Sequence, residues 1–72
     1  MRLRVGMRVE ILDPPAQRDG RHVYGSVQEP LRVPYHDPED LTTQVYGETM
    51  VYVREDGGGF AFFWPVALLR RV

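Results

Sequence analysis

The chain has 72 residues, of which 43% are hydrophobic and 26% charged, and its formal net charge is −1. That balance suits one small globular domain with a compact core, because a chain this short buries only about 60% of its unfolded surface. No cysteine is present, which excludes disulfides, thiolate zinc sites and cysteine nucleophiles.

Leu3, Val5, Met7, Val9 and Ile11 alternate with Arg2, Arg4, Arg8 and Glu10. A period of two over nine residues predicts a half-buried first strand from Leu3 to Ile11. Asp13-Pro14-Pro15 ends it, since proline has no N–H to give a ladder. Asp19-Gly20 signals a turn. Alternation resumes from Arg21 to Glu29, with Val23, Gly25 and Val27 on one face and His22, Tyr24 and Ser26 on the other. Gly25 inside this second strand predicts a bulge or a close backbone approach.

From about residue 30 to 42 the chain reads as a long loop holding Pro30, Pro34 and Pro38. Within it Asp37-Pro38-Glu39-Asp40 has the order of a helix start and predicts a single turn. Thr43 to Glu55 is rich in β-branched and aromatic residues, interrupted by Gly47, and predicts a central strand through Met50-Val51-Tyr52-Val53. Gly57-Gly58-Gly59 forms the next turn. Phe60 to Trp64 is continuously apolar and predicts a strand covered on both faces. Pro65 to Leu68 reads as one helical turn, and Leu69 to Val72 as a short last strand.

These elements predict an all-β fold: one five-stranded antiparallel barrel over residues 1–72, with a one-turn 3-10 helix before the last strand. First and last strands would be neighbours, gathering Arg2, Arg4, Arg8, Arg70 and Arg71. No charged-then-apolar leader opens the chain. The longest apolar run, Phe60 to Leu69, is too short to span a bilayer. A soluble cytoplasmic protein without a membrane partner is expected.

FAFFWPVALLRRV (Phe60 to Val72), with MRVEIL (Met7 to Leu12) and YGSV (Tyr24 to Val27), resembles the Src-homology-3-like (SH3-like) small β-barrels. Locally, WPVALLRRV is similar to the tail of the plasmid-encoded type II dihydrofolate reductases. That family carries Val-Gln-Ile-Tyr before its proline, and the glutamine and tyrosine line its active pore. Here the matching positions are Ala61, Phe62, Phe63 and Trp64, and the chain has no lysine to draw in anionic ligands. The resemblance therefore implies the fold and not the reductase activity. The layout also looks like the barrels of the nitrile hydratase β subunit, the variable chain of ferredoxin–thioredoxin reductase and the photosystem I accessory barrel. Each of these docks on a larger partner, which implies an accessory module.

Motifs for chemistry are weak. His36, Asp37, Glu39 and Asp40 crowd one loop, but consecutive loop residues split by Pro38 diverge instead of converging on a metal. One exposed loop does not give two carboxylates different environments across a cleft. Ser26, Thr42, Thr43 and Thr49 sit in no nucleophile motif. Gly57 to Gly59 follow acids and precede no lysine, unlike a phosphate loop. No enzyme, cofactor or metal site is expected.

Binding is the stronger expectation. All nine basic residues are arginine, and five of them lie at the chain ends, while residues 37–56 carry six acids against Arg54 alone. The arginine face could meet nucleic acid, with His22 and Tyr24 on the outward register, although a net charge of −1 argues against it. The aromatics Phe60, Phe62, Phe63 and Trp64, with Tyr46 and Tyr52 nearby, exceed what so small a core needs and predict a protein or self-association surface. The candidate partner-binding residues are Tyr35, His36, Tyr46, Tyr52, Phe63 and Trp64.

Overall fold

The structure is a computed structural model that describes residues 2–30 and 39–72. Tyr35, His36 and the Asp37-Pro38 start of the expected loop turn lie outside the described residues. Of that turn, Glu39 is in a hydrogen-bonded turn and Asp40 in an isolated bridge.

Among the described residues six strands form one curled antiparallel sheet, with two short helical pieces. In chain order they are β1 (Arg8–Ile11), α1 (Pro14–Arg18), β2 (Val23–Val27), β3 (Thr43–Val45), β4 (Glu48–Glu55), β5 (Ala61–Pro65), a 3-10 turn (Val66–Leu68) and β6 (Leu69–Arg71). The strand order is β3-β4-β2-β1-β6, and β5 pairs with the other edge of β4. First and last strands meet as expected, with Glu10 opposite Arg70 and Ile11 opposite Leu69.

The first strand is shorter than its alternation suggests. Gly6 takes φ 87°, Met7 N–H donates back to Arg4 O at 3.1 Å, and Gly6 N–H donates to Val27 O at 2.8 Å. Residues 4–7 therefore turn. Val5 is thrown out to 58% exposure, while Leu3 still reaches the core.

Asp13-Pro14-Pro15 does more than end a strand. Pro14 opens α1, where a missing N–H and a fixed φ suit the first helical turn. Arg21 N–H donates to Ala16 O at 2.9 Å and Gly20 N–H to Gln17 O at 3.1 Å, with Gly20 at φ 72°. This is the Schellman ending, in which glycine supplies the left-handed residue. Ala16 anchors the helix underneath at 1% exposure.

Residues 43–55 are two strands where one was expected. Tyr46 (φ 51°) and Gly47 (φ 78°) are both left-handed and join Val45 to Glu48 as a two-residue hairpin of the type that matches strand twist. Tyr46 itself is fully exposed.

The core is aliphatic. Leu3, Val9, Ile11, Val27, Leu41, Val51, Val53 and Leu69 are buried, and Met7, Val23, Trp64 and Val66 pack against them. Phe60 and Phe62, expected to be covered, stand 76% and 62% exposed, and Phe63 is 38% exposed. Val51 and Val53, opposite Trp64 and Phe62, already fill the space beneath the sheet. Only Trp64 of the aromatic run joins the core.

Candidate functional site

Alternation fixes which side chains share the outer face of the sheet. Val9 and Ile11 are buried, so Arg8 and Glu10 face the other way, and directly opposite residues share a face. Across the ladders this face carries Arg70 and Tyr24 beside Glu10, then Ser26 beside Arg8. It continues through Arg54 opposite Ser26 to Tyr52 opposite Phe63.

The β6–β1–β2 end of the face is polar and internally paired. Glu10 is 6% exposed, although its place in the alternation suggested a solvated position. Its carboxylate accepts the Nδ1–H of His22 at 2.8 Å on one oxygen and a guanidinium N–H of Arg70 on the other. The His22 bond, then Arg70, holds the Glu10 carboxyl below the ordinary glutamate range, against the opposing effect of partial desolvation. His22 in turn stacks on Tyr24, with centroids 6.4 Å apart and planes at 19°. Arg8 grips Asp56 with both terminal guanidinium nitrogens and also donates to Ser26 Oγ at 3.1 Å. The two-pronged bond lowers the Asp56 pKa and raises that of Arg8.

Stability should therefore fall in acid. A carboxyl with a lowered folded-state pKa leaves the unfolded chain binding more protons in the window between the two values, so stability rises with pH there. The contribution is complete above the ordinary carboxylate range, about pH 4 to 4.5, and disappears as pH drops through the folded values. Urea unfolding from pH 7 to 2.5 should show a flat midpoint above about pH 5 and a steep decline below it. Glu10→Gln should be less stable at pH 7 and decline less steeply. The same acid decline in both proteins would show that Glu10 does not carry it.

The arginine face is thus less basic than the sequence implies. Arg8 and Arg70 are matched by Asp56 and Glu10. Arg2, Arg4 and Arg71 are exposed, and no acid pairs with them among the described residues. A cleft of about 420 Å³ is lined by Arg21, His22, Val23, Tyr24, Glu55 and Asp56, so two acids offset the one arginine there.

The β4–β5 end is aromatic. The Tyr52 and Phe63 rings lie 4.9 Å apart, tilted by 51°, with both side chains partly open to solvent. A cleft of about 240 Å³ lies alongside, between Gln28, Tyr52, Arg54 and Phe60. Of the expected contact residues, Tyr52 and Phe63 are brought together, Trp64 is drawn into the core, and Tyr46 stands apart at its hairpin tip. Phe60 and Phe62, named in the aromatic cluster but not among the contact residues, are exposed as well, with Phe62 opposite Val53 and so on the other parity from Phe63. Glu10 and Asp56 were not singled out, and the closeness of Glu10 to His22 and of Asp56 to Arg8 appears only once the β1–β2 and β2–β4 registers are known.

Among the described residues no group of three or more histidines and acids could hold a metal ion, and no helix is long and apolar enough to cross a membrane. Comparison of the chain with known family models, with curated proteins and with solved structures finds no match.

Proposed function

We propose that this domain is an SH3-like barrel serving as a small non-catalytic binding module, and that it acts by protein contact through the aromatic β4–β5 end. The strand order β6-β1-β2-β4-β5, with a 3-10 turn joining β5 to β6, supports the barrel. One observation carries the function: Tyr52, Phe63, Phe60 and Phe62 stay at the surface while a compact aliphatic core forms without them. Aromatic side chains left out of water's reach only by a partner are the usual anchors of protein interfaces. The internal pairing of Arg8 and Arg70 favours a protein over a nucleic acid as that partner.

The test is recovery of the tagged domain from the cells that encode it, beside Phe63→Ala and Tyr52→Ala. Losing a central aromatic anchor typically removes about 2 kcal/mol of affinity, roughly 30-fold. A specific protein complex that either substitution weakens by that factor is expected. Folded variants that retain the complex at full strength would overturn the reading, as would salt-sensitive retention of nucleic acid in its place.

A further inference from the structure

We propose that the free edge of β5 is a self-association site, where β5 of a second copy adds antiparallel across a two-fold axis. This rests on the protein-contact reading and names its partner. Among the described residues β5 is hydrogen-bonded to β4 alone. Its outer edge therefore presents a row of N–H and C=O groups, and the chemistry that satisfies such a row is another strand.

The free edges of this sheet are not equivalent. The outer edge of β6 carries Arg70 and Arg71, consecutive charges of the kind that block strand addition. The edge strand β3 is only three residues long. By contrast, β5 reads Ala-Phe-Phe-Trp-Pro, and no charged residue occurs between Gly57 and Leu69. A two-fold axis brings like residues together, so any charge near it would repel its own copy. Among the described residues, the β5 edge is the longer, uncharged one and the one that tolerates a second copy of itself.

Surface area sets the strength. Phe60, Phe62 and Phe63 are 76%, 62% and 38% exposed, and at roughly 200 Å² per ring they leave roughly 350 Å² of aromatic surface per copy. A standard stable interface buries about 800 Å² per partner. The dimer is accordingly a weak one, formed at high local concentration.

Sedimentation from about 10 μM to 1 mM, beside amide exchange at both extremes, tests it. The wild-type chain should shift toward dimer over this range, and alternate amides of Ala61–Trp64 should exchange more slowly in the dimer. Phe62→Lys and Phe62→Glu, at an exposed position, should each stay folded and monomeric, and an equimolar mixture should recover the dimer. A wild-type monomer at 1 mM would overturn the proposal, as would single charge variants that dimerise like wild type. Dimerisation that leaves the β5 amides unprotected would overturn it too. If the wild type is monomeric yet Phe63→Ala still weakens a complex in cells, self-pairing alone fails. If the dimer forms while Phe63→Ala and Tyr52→Ala leave cellular complexes intact, it is the partner-docking reading that fails.

Discussion

Leu3→Ala is expected to cost the domain about 3 kcal/mol, although Leu3 belongs to no strand. A buried leucine cut to alanine loses its transfer energy and leaves a cavity, typically at about 2–5 kcal/mol. Leu3 is 0% exposed and Leu41 1%, and Leu41 N–H donates to Leu3 O at 2.7 Å. The N-terminal arm and the chain entering β3 therefore clasp over the same part of the core. A domain of 72 residues holds only about 4–11 kcal/mol in total, so the loss is a large fraction. The midpoint of thermal unfolding should drop by roughly 12–24 °C, at about 4–8 °C per kcal/mol for a domain of this size. Val5→Ala is the control. Val5 shares the sequence parity of Leu3 but is 58% exposed, and its loss should stay within about 0.5 kcal/mol. Equal effects of the two substitutions would mean that the arm is not docked.

That contrast shows where sequence pattern stops. Period two marked Val9 and Ile11 as inward correctly, and it marked Val5 the same way. A hydrophobic period reports the parity of an extended chain, and one left-handed residue at Gly6 resets it. The local punctuation was legible where it acts within four or five residues: the glycine turn after Glu55, where Gly58 N–H returns to Glu55 O at 3.0 Å, and the 3-10 turn before β6. Helix α1 was not, because five residues are too few to show a helical period. Its signals, Pro14 at the start and Gly20 past the end, look identical to a strand end and a hairpin turn when read apart.

Less of the surface was legible. That the aromatics exceed the core's needs follows from composition, but which of them stay outside depends on Val51 and Val53 filling the sheet's inner face. Pairing of β1 with β6 sets Arg70 opposite Glu10 and Arg71 opposite Val9, while Arg2 and Arg4 precede β1. What the charge pattern did not reveal is that Glu10 lies between Arg70 and His22, and that Asp56 reaches Arg8 from 48 residues away. Those meetings are set by ladder register, which depends on long-range pairing rather than on any local signal.

Gly25→Ala should be the most damaging change of a single methyl group. A Cβ built at Gly25 would lie 2.6 Å from Arg54 O and 2.8 Å from Val53 Cγ1. The oxygen belongs to the backbone of β4, paired to β2 through Gly25 and Glu55, Ser26 and Arg54, and Val27 and Val53. It cannot rotate away as a side-chain tip could. Relief requires the two strands to separate, and among the described residues β2–β4 is the only ladder that joins β1 and β6 to β3, β4 and β5. Overpacking in a tight interior costs about 1–3 kcal/mol when neighbours can adjust; a backbone neighbour places this case at the upper end, about 3 kcal/mol. The backbone at Gly25 needs no left-handed conformation, so the cost is steric alone. Gly20→Ala separates the two effects: a Cβ there meets nothing within 4 Å, but φ is +72°, and the expected loss is about 1 kcal/mol from backbone strain. Urea midpoints should rank wild type, then Gly20→Ala, then Gly25→Ala. If Gly25→Ala instead matches Gly20→Ala, β2 and β4 have slack at their crossing, and the sheet does not depend on a bare backbone there.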